Sequence, residues 1–158
     1  MTGGGSSIPA VHALLRVLAS GKRAAEIGTA FGEGAAAMAS TARELVTVEV
    51  DPERAEIARG RLDSREGVEL LVGDWRELLP PLGPFELVFA DGGLREADAW
   101  EVVLQLVAPG GIVVKDDLTP GRPIDGDPVR EFLLRDPRLY GVEILTTPES
   151  AAIVAVRR

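Results

Sequence analysis

The feature that most constrains this chain is a repeated punctuation. Short apolar segments each stop at a glycine or an acid, and each is followed by a segment with helical spacing. Ala24-Ala25-Glu26-Ile27 stops at Gly28, and Leu45 to Val50 ends in Glu49-Val50-Asp51. Val68 to Val72 closes at Gly73-Asp74, Phe85 to Ala90 at Asp91-Gly92-Gly93, and Ile112 to Lys115 at Asp116-Asp117. Helical patterns fill residues 33–42, 52–63, 75–79 and 96–107, with Pro52 at a first turn, where proline is tolerated. A leading helix is predicted over 8–20. Ile8, Val11, Leu14, Leu15 and Leu18 share one face, Pro9 sits in the first turn, and Ser6 or Ser7 serves as cap. Such alternation predicts a parallel sheet with helices on both faces. The end of the chain breaks the pattern. After a Pro/Gly-rich loop at 118–126 and a helix at 127–135, two strands, Tyr140 to Leu145 and Ala151 to Val156, follow across a short connection. So short a connection enforces antiparallel pairing, and one strand must run against the rest.

Composition narrows what such a sheet can do. The 158 residues predict one domain, 1–158, without repeats or a splitting linker. A net charge of −8 weighs against nucleic acid as partner, since phosphate binding needs a basic stripe. The chain has no cysteine, which excludes thiolate nucleophiles and cysteine metal sites. Its only histidine, His12, falls on the polar side of the leading helix, so a triad around a cleft histidine is disfavoured. No apolar run approaches the length of a membrane span, and the expectation is a soluble cytoplasmic protein without membrane association.

Ligands of open α/β sheets bind beyond the carboxyl ends of the strands, so the residues ending each strand are the candidates. Every one of the five segments ends in at least one acid. Gly28 and Gly32 let the backbone turn tightly at the start of a helix, although the spacing G-x-x-x-G-x-G departs from the dinucleotide fingerprint. Glu49, about twenty residues beyond Gly28, can accept the hydroxyls of a ribose. Asp74 can accept an adenine amino proton. Together they describe a nucleoside pocket.

Five stretches carry a resemblance over roughly residues 20–157: AEIGTAFGEG, VTVEVDPERAEIAR, LLVGDW, ELVFADGG and LVAPGGIVVKDD. They resemble the class I S-adenosylmethionine-dependent methyltransferases, and most of all the cation-dependent O-methyltransferases of the catechol and caffeoyl-CoA type. The resemblance implies a three-layer Rossmann-like fold: a seven-stranded, mostly parallel sheet of order 3-2-1-4-5-7-6 with the seventh strand antiparallel. It implies that Gly28, Thr29, Ala30 and Gly32 line the methionine part of the cofactor, with Glu26 near its amino group. It places Glu49 on the ribose, Val50 against the adenine, Asp74 at the adenine amino group and Trp75 on the ring. Asp91 borders the cofactor and, with Asp116 and Asp117, is implied to hold Mg²⁺ or another divalent cation, for which oxygen ligands are suited.

Departures from the family pattern sharpen the expectation. Gly34 stands where the family has a serine, and Asp117 where it has an asparagine. Leu94 stands where the family has its lysine base; Arg95 beside it stays protonated and is a poor base, leaving the catalytic residue unassigned. The small size and the exposed site raise the expectation that a homodimer partner completes the pocket. Trp100 is expected in the core, Asp127 as a helix cap, and the 118–126 loop as a lid. The expected function is methyl transfer from S-adenosylmethionine to an oxygen of a small-molecule acceptor. The alternative is a non-catalytic binder of S-adenosylmethionine or S-adenosylhomocysteine. A dehydrogenase is disfavoured by the failed glycine fingerprint, and a nucleic-acid methyltransferase by the charge.

Overall fold

β-branched and apolar runs form the centre of the molecule because both faces of each central strand are covered. The computed structural model describes residues 7–92 and 94–158; Ser6 and Gly93 lie outside them. Seven strands make one sheet: β1 (Arg23–Ile27), β2 (Glu44–Glu49), β3 (Val68–Val72), β4 (Phe85–Ala90), β5 (Val107–Leu118), β6 (Leu139–Thr147) and β7 (Ser150–Arg157). Their order is β3-β2-β1-β4-β5-β7-β6. The first five are parallel, and β7 is antiparallel to both β5 and β6, as the short final connection requires. The helices are α1 (Pro9–Ala19), α2 (Glu33–Ala39), α3 (Pro52–Leu62), α4 (Trp75–Leu78), α5 (Ala97–Leu106) and α6 (Pro128–Arg135). Among the described residues no helix is long and apolar enough to cross a membrane.

Alternation along β4 divides the core. Val88 and Ala90 face one layer, with Trp100, Leu106, Val113, Leu133 and Ile153. Leu87 and Phe89 face the other, with Val11, Leu15, Met38 and Val114. Trp100 is fully buried and tilts against Phe132, so it is core, as the sequence suggested.

Several local expectations are corrected. The N-cap of α1 is Ile8, with no side-chain cap bond, and the Ser7 hydroxyl is buried without a partner rather than capping. His12 is half-buried, with Nε2 enclosed and unpartnered. α2 ends at Ala39, short of residue 42. The strand read as Ile112 to Lys115 starts earlier, at Val107, so Pro109-Gly110-Gly111 lies within it. Val107 pairs with Phe85 and Ile112 with Leu87, so a register shift absorbs the intervening residues and the strand continues.

Asp127 caps α6 as expected, accepting from the N–H groups of Val129 and Arg130. Arg130 is almost completely buried and donates to Asp127, to Glu143 on β6 and to the Thr119 carbonyl. The loop expected to serve as a lid is therefore pinned at its start to the sheet edge. Arg135 ties its far side through Asp125.

Candidate active site

The carboxyl ends of β1 to β4 open into one cleft of about 440 Å³, within the usual size range of small-molecule sites. Its lining includes Gly28, Glu49, Val50, Asp74, Trp75 and Asp91. Six residues predicted from strand ends are thus brought together. Leu94 and Arg95, at and beside the family's lysine position, also line it, as do Arg76 and Glu96, to which the sequence gave no role.

Each polar wall is fixed by the backbone. Glu49 is 5% exposed; its Oε2 accepts from the Ala30 N–H at 2.7 Å and its Oε1 from the Asp51 N–H at 3.0 Å. Those bonds hold the carboxylate in place while leaving it acceptor capacity for a ligand hydroxyl. Asp74 caps α4 through Oδ1, which accepts from the Arg76 N–H at 2.8 Å. Between these acids Val50 is 72% exposed, an apolar side chain on a polar cleft beside the half-buried Trp75. Arg76 lies 5.6 Å from the Trp75 ring and pairs with Glu96 at 3.9 Å, linking the starts of α4 and α5 across the cleft.

Gly28 is required twice over. Its φ of +88° favours glycine, and a Cβ there would meet the Asp91 carbonyl oxygen at 2.9 Å. Among the described residues, Ala30 and Asp117 are the non-glycine residues with positive φ, at +48° and +59°, and both sit at strand tips. Aspartate tolerates this conformation better than alanine, so the Ala30 turn, held by Glu49, is the more strained.

Glu26, Thr29, Ala30 and Gly32 do not line the cleft; all four are buried. Glu26 is buried, with the Thr47 hydroxyl donating to it at 2.6 Å, and Thr29 and Thr47 share a hydroxyl bond of 2.5 Å. Burial, with Asp91, Asp116 and Glu49 nearby, holds the Glu26 carboxyl well above the usual carboxylate range. Gly34 is explained by the same packing, because a Cβ there would lie 2.6 Å from Glu26 Oε1. Gly32 lets the loop close on α3, where a Cβ would meet Ala58 at 3.1 Å.

Asp116 and Asp117 lie outside the cleft lining. Asp116 is buried with Oδ1 unpartnered, whereas Asp117 is exposed. Burial, and then Asp91, push the Asp116 carboxyl up to about 7 against the pull of Lys115. Burial also raises Asp91, which accepts from the Gly92 N–H at 2.8 Å. Among the described residues no three acidic or histidine side chains converge to hold a metal ion. As arranged, Asp91, Asp116 and Asp117 do not fit the expected divalent cation. Leu94 is buried in the core, so no proton-accepting group stands at that position.

Residues 25–118 match the methyltransferase domain family, and the chain belongs to it. Over 120 residues it is 32% identical to a protein-L-isoaspartate O-methyltransferase of Rhodopseudomonas palustris, covering 75% of this chain but only 51% of that protein. The chain thus spans about half the length of this relative. A protein named as an O-methyltransferase in Mycobacterium bovis is 28% identical over 167 aligned positions, covering 97% of this chain and 70% of its own. Two solved structures share the fold. The O-methyltransferase of Bacillus cereus in complex with S-adenosylhomocysteine superposes with a TM-score of 0.79 at 22% identity, over 99% of this chain and 84% of its own. TomG, an O-methyltransferase of Streptomyces achromogenes in complex with S-adenosylmethionine, gives 0.71 at 26% identity, over 98% and 82%.

Proposed function

We propose that this chain is an S-adenosylmethionine-dependent methyltransferase acting on an oxygen of a small-molecule acceptor. One observation carries the reading: Gly28, Glu49, Asp74, Val50 and Trp75, from three successive strand ends, line a single cleft. Two carboxylates flanking an exposed valine and an indole suit a nucleoside, whose sugar and amino groups donate while its ring is apolar on both faces. Glu49 would hold the ribose hydroxyls, Asp74 the adenine amino group, and Val50 with Trp75 the ring. The acids at neighbouring tips favour a cationic ligand. The cofactor complexes of the Bacillus and Streptomyces O-methyltransferases support the same assignment.

Bound S-adenosylmethionine supplies an activated methyl group on a sulfonium. The chain's own contribution is to orient. Gly28 admits a close approach of ligand to backbone, and Asp91 places negative charge at the border between donor and acceptor. Proximity and alignment then account for most of the rate. With no base at Leu94, the acceptor that fits is a hydroxyl acidic enough to ionise readily. The net charge of −8 supports a small acceptor over a nucleic acid. A tritiated methyl-donor assay against phenolic and carboxylic acceptors tests the reading. Methyl incorporation that disappears in Glu49→Ala is the expected result; cofactor binding without transfer to any acceptor would favour the non-catalytic alternative.

A further inference from the structure

β3 and β6 are the two edges of the sheet. An edge strand offers unpaired N–H and C=O groups to any extended chain, and soluble proteins blunt it with short length, charge, proline or a bulge. β3 follows that rule, with five residues and the exposed Glu69. β6 does not. It has nine residues, and from Leu139 to Leu145 it pairs with β7 without a bulge or a proline. Its one charge, Glu143, is held by Arg130. Among the described residues seven large apolar side chains are exposed. Three of them, Tyr140, Val142 and Leu145, belong to this strand, at 63%, 56% and 67%.

The ladder fixes what the edge presents. The Arg158 N–H donates to the Arg138 carbonyl, so the even-numbered residues of β6 bond to β7. By alternation Gly141, Glu143 and Leu145 turn their N–H and C=O groups outward. This edge is complementary to itself. Antiparallel pairing of two copies about an axis at Val142 sets Tyr140 of one opposite Ile144 of the other, and Leu139 opposite Leu145. Gly141 and Glu143 then exchange their outward bonds, so the two glutamates do not face each other. The ends match in charge as well. Glu149, exposed in the turn beyond β6, comes to the end of the second strand that carries Arg138 and Arg158, the latter 3.9 Å over the Tyr140 ring.

We propose that β6 is the interface of a symmetric dimer, pairing antiparallel with β6 of a second copy of this chain about a two-fold axis at Val142. A nine-residue strand is about 30 Å long, so the contact is at the small end of specific interfaces and its affinity is of about micromolar order. The cleft opens beyond β1 to β4, with β5 and β7 between it and β6, so a second copy here leaves it open.

The test is sedimentation equilibrium of the full chain from about 1 to 200 μM. The expected mass rises with concentration from that of one chain, 16.7 kDa, towards that of two. Val142→Lys sets two ammonium groups opposite each other on the axis and should weaken the dimer about tenfold or more, with an unchanged circular dichroism spectrum. The chain has no cysteine, so Val142→Cys introduces a single thiol. On the axis it forms a pair with Cα atoms about 4.5 Å apart, within disulfide range. With oxidised glutathione as electron acceptor, Val142→Cys should link two chains rapidly, whereas Val17→Cys, on α1 and 73% exposed in wild type, should not. A chain that stays monomeric at the highest concentration would overturn the proposal. So would a dimer that Val142→Lys leaves intact, or a Val142→Cys variant that links no faster than Val17→Cys. Should Val142→Lys fail to fold, the wild-type mass and the two cysteine variants still decide.

Discussion

The two halves of the sheet treat their terminal acids differently. At β1 to β3 the cleft carboxylates are held by the backbone: Glu49 by Ala30 and Asp51, Asp74 by Arg76. At β4 and β5 they are less satisfied. Asp116 keeps an unpartnered oxygen, and burial raises both Asp91 and Asp116. The first arrangement is rigid and suits recognition. The second resembles the perturbed groups that gather where chemistry is done. On the proposed function, the first half holds the cofactor and the second faces the acceptor.

The contrast is broken most severely by Glu49→Ala. Losing charge-assisted bonds of about 1.5–3 kcal/mol each should weaken S-adenosylhomocysteine binding by about a hundredfold or more in calorimetry. The Ala30 turn loses its anchor as well, so a drop in melting temperature should accompany it. Gly34→Ser is next. Its Cβ would crowd Glu26 Oε1, and the expected destabilisation is about 1–3 kcal/mol in urea unfolding, with no gain in cofactor affinity.

Glu26 gives a pH test. Its carboxyl is raised above the ordinary value of about 4.3 expected in the unfolded chain, so the folded state binds more protons between the two values. The stability contributed by neutral Glu26 is complete below that lower value and is lost as pH rises through the folded one. Glu26→Gln should therefore gain on wild type as pH rises, by about 1.4 kcal/mol for each unit of separation, and flatten the unfolding profile. Equal pH profiles for the two proteins would contradict this. The smallest effect belongs to Arg76→Ala, which removes an exposed pair at 3.9 Å and should cost less than about 1 kcal/mol in the same unfolding assay.

The strand-helix punctuation was readable in the sequence because each apolar segment stops at a residue that also does something local. Asp51, Asp74 and Asp127 each cap a helix, and Gly28 turns under the Asp91 carbonyl. Such signals are contiguous in the chain. The length of β5 was not legible, because Pro109-Gly110-Gly111 reads as a stop and only pairing with β4 shows that the ladder resumes. The cleft was half legible. Strand ends pointed to Glu49, Val50 and Asp74, which line the cleft, whereas Glu26 and Thr29, assigned through the resemblance, are buried and do not line it. The burial of Lys115 was missed, since periodicity does not reveal which side chains meet. Arg130 was missed for the same reason: its partners Glu143 and Thr119 lie far along the chain.

The most direct test of the account is calorimetric titration of S-adenosylmethionine, S-adenosylhomocysteine and NAD⁺ into wild type and Glu49→Ala. The account predicts binding of both sulfur nucleosides with affinity of about micromolar order, loss of both in Glu49→Ala, and no heat from NAD⁺. Absence of binding by either nucleoside, or binding that Glu49→Ala leaves intact, would contradict it.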